Sequence, residues 1–323
     1  MFPENKSTLR FVLMGAGIVF FALVIFYWLL FSAPGGSDEL FTFVVPVKTE
    51  QQTVVAKLNE EGFIRSSWAF SLVHDSDIKS GGYELASGMN VREVARVLAA
   101  EPKMKWVTIP EGYRKEQIAM ILARELGWSD EMEETWVTFD TAQDPDYIEG
   151  VYFPDTYLIS RDDTTAEVAE RIRAHFEEKF APYAEVAMKQ NIRWPTLIKI
   201  ASIVQREGYD GEDMPIVAAV IWNRLLINMK LDIDATLQYA RGNTGDGFWA
   251  PITPAEKKID SPYNTYLHAG LPPTPISNPG VTAIDAVLNP AKTKCLFYLH
   301  DTKGEIHCAE TYDKHLDNVD KYY

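Results

Sequence analysis

The run from Phe11 to Phe31, FVLMGAGIVFFALVIFYWLLF, carries no charged residue, and it limits what the first part of this chain can become. About 20 apolar residues cross a bilayer, whereas the apolar region of a cleaved signal peptide holds roughly 7 to 15. The run therefore predicts an uncleaved single-pass anchor at 11–31, behind a short polar tail at 1–10. Lys6 and Arg10 precede the span and Asp38 and Glu39 follow it. Basic residues stay on the cytoplasmic side, so the tail is expected inside and everything after the span outside. Residues 32–38, SAPGGSD, have the composition of a flexible tether.

The remainder of the 323 residues is long enough for about two domains with real cores. A formal net charge of -15 argues against a phosphate-backbone partner, which calls for clustered Lys and Arg. Two cysteines make no disulfide framework, and neither CxxC nor HExxH spacing is present for a redox or zinc site. His300, His307 and His315 lie closest together but read as ordinary hairpin and helix residues.

From Leu40 the signals alternate between strand and helix, which predicts an α+β chain. FTFVVPV (41–47) is strand-like, QTVVAKLNEEG (52–62) an amphipathic helix, and SSWAFSLVHD (66–75) a second helix behind a Ser cap. GGYELASG (81–88) then reads as a strand and MNVREVARVLAA (89–100) as a helix capped by Asn90, giving a β-α-α-β unit plus one helix. VTIP (107–110), a helix from about Arg114 and Gly127 weakly echo that unit. TTAEVAERIRAHFEEKF (164–180) is a long amphipathic helix opened by Thr. CLFYLH, a DTKG turn and EIHCAE predict a β-hairpin at 295–310. A turn closing on Gly304 does not set Cys295 opposite Cys308, so a cross-strand disulfide is open to them but not favoured.

The stretch PTLIKIASIVQREG (195–208) is a helix bounded by Pro195 at its start and Gly208 at its end. At about 100° per residue, Leu197, Ile200, Ala201, Ile203 and Val204 share one side, and Glu207 projects into that apolar stripe. A carboxylate there loses hydration, which raises its pKa toward the range where it can hold and donate a proton near neutral pH. The alternative is a Glu that swings out to solvent or pairs with an Arg. After Gly208 a second helix, IVAAVIWNRLLINMK, completes a helix hairpin. Arg224 on it reads as a plain surface charge, and Asp232 and Asp234 share a face if LDIDATLQYA is extended.

Two segments carry aromatic and amide groups suited to sugars. In EGVYFPDTYLIS (149–160), Tyr152 and Asp155 offer a ring and a carboxylate, although such a segment also serves as strand and turn in a core. In SPYNTYLHAGLPPTPISNPG (261–280), Pro and Gly exclude helix and central strand, and Tyr263, Asn264, Tyr266 and Asn278 stand between them. An ordered loop this long is usually functional.

Taken in order, GVYFPDTY (150–157), ASIVQRE (201–207), NRL (223–225), LDIDAT (231–236), YNTY with GLPPTPISNPG (263–280) and NPAKT through IHCAETYDKH (289–315) resemble the endolytic murein transglycosylases of the MltG (YceG-like) type. The resemblance implies an enzyme of the bacterial cytoplasmic membrane that cuts inside nascent peptidoglycan strands. It would carry a LysM-like lobe at about 39–105 and a catalytic domain at 106–323. Glu207 matches the family's catalytic glutamate; Tyr152, Asp155, Asn223, Asp234, Tyr263, Asn264, Tyr266 and Asn278 become candidate substrate contacts. No metal or organic cofactor is implied, and wall-synthesis polymerases and transpeptidases are the protein partners to expect. The chain departs from the family pattern at Gln205 (Glu), Ala235 (Pro) and Cys308 (an aromatic); the first two are not expected to touch the acid. Two rivals remain: a hydrolytic muramidase with Asp234 as second carboxylate, and a non-catalytic glycan-binding scaffold.

Overall fold

The computed structural model describes residues 6–143 and 148–322, so the first five residues of the expected tail lie outside it. The elements run α1 (Lys6–Phe31), β1 (Phe41–Val45), α2 (Gln51–Glu60), α3 (Ser67–Ser71), β2 (Gly81–Leu85), α4 (Val91–Ala99), β3 (Met104–Thr108), α5 (Lys115–Leu126) and α6 (Asp130–Thr135). After a π-helical turn at Trp136–Asp140 come β4 (Thr156–Ser160), α7 (Thr165–Lys189), α8 (Trp194–Glu207), α9 (Met214–Leu226) and α10 (Asp234–Arg241). The chain closes with α11 (Val281–Leu288), β5 (Phe297–His300), β6 (Ile306–Ala309) and α12 (Tyr312–Tyr322). The class is mixed α/β. The chain divides into two compact units, Met1–Trp106 with Leu158–Asp162, and Val107–Tyr157 with Asp163–Tyr323.

In the first unit, β1 pairs antiparallel with β2 in the register Phe41↔Leu85 to Val45↔Gly81, and the sheet order is β1-β2-β3-β4. Phe43, Leu58, Phe70, Tyr83, Leu85, Val94 and Leu98 form its buried core. Each such side chain contributes about 1.5–3 kcal/mol of transfer free energy. The Asn90 side chain accepts from the backbone N–H of Arg92 and Glu93 while Glu93 answers to the Asn90 N–H, a full capping box worth about 1 kcal/mol. The expected helix stops at Ser71, after which the Val73 N–H tightens to the Phe70 carbonyl three residues back. Phe11–Phe31 within α1 is the one stretch among the described residues long and apolar enough to cross a membrane.

Residues 32–38 are not a free tether. Gly35 N–H donates to Ser87 O at 2.9 Å, Gly88 N–H to Ser37 O at 2.8 Å, and the Arg65 guanidinium to Ala33 O at 2.9 Å. Composition alone predicts flexibility here; the backbone partners are supplied from fifty residues downstream.

In the second unit, Thr164 caps α7 and Gly127, in the left-handed region at φ 80°, closes α5. The stretch 149–160 forms strand only from Thr156, and LDIDATLQYA bends at Asp232, whose φ is 51°, before turning helical at Asp234. Asp232 and Asp234 therefore do not sit on one extended face. Residues 262–280 are irregular throughout, as their Pro and Gly content requires. Gly150 has φ 87°, and a Cβ there would meet Ile198 Cγ2 at 2.6 Å, so only glycine lets this backbone pass α8.

Candidate active site

α8 is buried along Leu197, Ile198, Ile200, Ala201, Ile203 and Val204. Its small polar residues are spent on the irregular segment. Ser202 Oγ accepts the Ile276 N–H at 3.0 Å, Ser277 Oγ donates to Ser202 O at 3.0 Å, and Gln205 Oε1 accepts the Gly280 N–H at 3.0 Å. Gln205 thus acts as an acceptor only, a role the family's usual Glu fills equally well. The helix runs out at Glu207, where Gly208 leaves in extended conformation.

Glu207 opens onto a cleft of about 560 Å³, together with Arg224, Asp234, Lys257, Tyr266 and Tyr298. The residue keeps part of its surface toward the cleft, but dense surroundings deprive the carboxylate of hydration. Burial raises its pKa above the ordinary 4.5, assisted by the charge of Asp234. Three contacts pull the other way: the Tyr298 hydroxyl, the charge of His300, and the backbone N–H of Ala235 at the start of α10. The net direction is upward. Ala235 therefore bears on the Glu207 pKa, contrary to expectation, and proline at that position would have no N–H to offer.

The hairpin strand that brings Tyr298 to Glu207 is held from α9. Asn223 Nδ2 donates to Thr293 O and Cys295 O, each at 3.0 Å. Arg224 is 9% exposed and no surface charge: Nε donates to Leu296 O at 2.6 Å and Nη1 to Leu231 O at 2.5 Å. At the far end of β5, His300 Nε2 lies 2.6 Å from Asp213 Oδ2, which also accepts the Tyr209 N–H. Tyr298 Oη then donates to Glu207 Oε2 at 2.7 Å, and both burial and the Glu207 charge push the phenol well above its usual pKa. The phenol stays protonated and remains a donor.

On the facing wall, Tyr266 Oη donates to Asp234 Oδ1 at 2.7 Å, and Lys257 Nζ lies 3.5 Å from the same oxygen. Phe297, Tyr312 and His315 complete the cleft, and burial lowers the His315 pKa, so its ring is neutral near pH 7. Its ring stacks on Phe297 at 5.5 Å.

Of the residues singled out from sequence, Glu207, Asp234 and Tyr266 line this cleft. The others stand elsewhere. Asn223 holds backbone, as described. Asn264 is fully buried and donates to Lys257 O and Ile259 O. Asn278 is fully buried, accepting from Tyr152 N–H at 2.8 Å and donating to Tyr113 O and Glu149 Oε1. Tyr152 is core, 1% exposed and 5.3 Å from the Trp136 ring. Tyr263 meets Thr274 at 2.7 Å, and Asp155 meets His175 at 2.8 Å. Tyr298 and Lys257 escaped the sequence reading, which took Arg224 for a surface charge and His315 for an ordinary helix residue; a tyrosine at alternate position on a strand ending at His300 was the one visible sign of Tyr298.

Cys295 and Cys308 are bonded. The register puts Tyr298, not Cys295, opposite Cys308, yet the two cysteines pair, against the expectation drawn from the turn. Cys295 lies ahead of β5, its carbonyl accepting from Asn223 Nδ2, and its Cα stands 5.8 Å from that of Cys308.

Together these features define a mixed α/β protein with one shielded carboxyl at the end of a buried helix, open to a polar cleft. The chain belongs to the YceG-like family, which it matches over residues 43–321. It is 28% identical over 321 residues to an endolytic murein transglycosylase of Streptococcus pneumoniae (strain D39), covering 88% of this chain and 58% of that one. A Bacillus subtilis (strain 168) protein of the same name is 28% identical over 304 residues, covering 86% and 83%. The chain spans just over half the length of the pneumococcal relative. The crystal structure of a YceG-like protein from Listeria monocytogenes shares the fold, with a TM-score of 0.63 at 24% identity over 87% of this chain and 99% of that one.

Proposed function

We propose that this chain is a membrane-anchored lytic transglycosylase that cuts inside peptidoglycan strands, with Glu207 as general acid and then base. The carrying observation is the state of Glu207: its pKa is raised by burial, while its remaining open surface faces the cleft. The family relatives' names support the substrate and the reaction type.

Protonated Glu207 gives its proton to the glycosidic oxygen as the bond between N-acetylmuramic acid C1 and that oxygen breaks. The muramoyl 6-hydroxyl oxygen bonds to C1, and its proton passes to Glu207. The products are a 1,6-anhydromuramoyl end and a free N-acetylglucosamine 4-hydroxyl. No water is consumed and Glu207 returns to its starting state, so one carboxyl suffices where hydrolysis needs a pair. Tyr298, donating to Oε2, holds one oxygen and leaves Oε1 to carry the mobile proton. Lys257 presents a donor to hydroxyl and carbonyl groups of the sugar, and Tyr266, whose hydroxyl hydrogen goes to Asp234, offers its ring. A hydrolytic muramidase is a second reading, because Asp234 lines the same cleft; its engagement by Tyr266 and Lys257 weighs against a free base there.

Under this reading α1 spans the cytoplasmic membrane with Lys6 and Arg10 inside, residues 39–105 form a LysM-like lobe and 106–323 the catalytic domain, all outside. Wall-synthesis polymerases and transpeptidases are the protein partners such a role implies. Digestion of purified glycan strands by the full chain in detergent tests the reading, against Glu207→Gln. Anhydro-ended internal fragments from the parent alone are expected. Reducing ends would establish the muramidase, and cleavage undiminished in Glu207→Gln would remove the acid.

A further inference from the structure

A second cavity, about 420 Å³, lies in the first unit between α4 and the turn after α3, bordered by His74, Asp75, Ser76, Arg92 and Arg96. The charges of this unit are unevenly paired. Lys57, Lys79, Lys103 and Lys105 each hold a carboxylate. Arg65, Arg92 and Arg96, like Lys48, hold none among the described residues, and two of the arginines reach the C-terminal end of α1 instead. Arg92 Nη2 donates to Tyr27 Oη at 3.0 Å, and Arg65 Nη2 donates to Ala33 O at 2.9 Å and Pro34 O at 3.2 Å. Tyr27 precedes the end of α1 by four residues, roughly 6 Å of helix. Phe31 packs against the core of the unit, so this end of α1 is seated on it. α3 also packs on α1, and its Trp68 and the following Leu72 are each 59% exposed.

If α1 spans a bilayer, as proposed above, Tyr27 lies about one helical turn inside the outer edge of the hydrocarbon, within reach of a long side chain that carries its charge at the headgroups. Guanidinium pairs bind phosphate diesters through parallel hydrogen bonds, and exposed Trp favours the same interfacial layer. We propose that Arg92 and Arg96 form a site for the phosphate of an anionic phospholipid in the leaflet around the C-terminal end of α1. Asp75, on the opposite rim, repels the phosphate and keeps it on the arginine side. The lobe is thereby fixed against the membrane surface.

The test is amide hydrogen exchange of the full chain in nanodiscs of phosphatidylcholine alone or mixed with phosphatidylglycerol. Segments 72–78 and 90–96 are expected to exchange more slowly in the anionic discs, and the effect to fall about five-fold for each arginine replaced in Arg92→Gln and Arg96→Gln. Both arginines are exposed and outside the core, so the variants keep the fold. Protection of residues 12–30 in every disc reports the anchor independently. That protection without a lipid-dependent change at α4 would overturn the site and leave the anchor; unprotected 12–30 would overturn both. Slowing by inorganic phosphate in neutral detergent, with no response to phosphatidylglycerol, would overturn the lipid assignment.

Discussion

Tyr298 donates its phenolic hydrogen to Glu207 Oε2 across 2.7 Å, joining the tip of α8 to a strand 91 positions later in the chain. This bond stabilises the carboxylate, so its loss lets burial raise the Glu207 pKa further. Tyr298→Phe is expected to move the alkaline limb of the pH–rate profile upward and to lower kcat about ten-fold, near the worth of one hydrogen bond to a charged group. An unmoved alkaline limb in glycan digests across pH would refute the assignment.

The Ala235 N–H acts on the same carboxylate. Proline is tolerated in a first helical turn, and α10 starts one residue earlier. Ala235→Pro should therefore fold and shift the same limb upward, with a smaller loss of kcat than Tyr298→Phe. A downward shift would be inconsistent with a donating N–H.

Asn223 Nδ2 donates to two backbone carbonyls. Asn223→Ala leaves the Thr293 and Cys295 carbonyls without their side-chain donor, a cost of about 1–3 kcal/mol. Thermal unfolding should report that loss, and kcat should fall as Tyr298 is displaced while KM for glycan strands holds. A rise in KM with unchanged stability would instead mark Asn223 as a substrate contact.

Glu149 is fully buried, accepting from Lys115 N–H and Asn278 Nδ2, and burial pushes its pKa from 4.5 up to about 8. The native state then binds a proton that the unfolded chain releases above pH 4.5, so stability falls as pH rises from there toward about 8. Glu149→Gln removes the titration and keeps an acceptor for both donors. Its unfolding free energy is expected to vary less across that window than the parent's, by up to a few kcal/mol. Parallel pH curves for the two proteins in chemical denaturation would exclude Glu149 as the source.

What the sequence determined by itself is local or patterned. The apolar run, the Asn90 and Thr164 caps, the Gly127 stop, the α8 stripe with Glu207 and the irregularity of 262–280 each depend on residues within a few positions of one another. Family motifs extended that reading to the kind of chemistry. Tertiary structure alone decided the partners of those residues. Arg224 stands in an apolar helix and Asn264 and Asn278 in a Pro- and Gly-rich stretch, yet folding buries all three because backbone carbonyls and N–H groups need partners away from water. The same requirement turned residues 32–38 from a flexible composition into a bonded strap, and set Tyr298 and the Ala235 N–H against one carboxylate. Hydrogen-bond demand between segments far apart in the chain has no period and no spacing, so no pattern along the sequence records it.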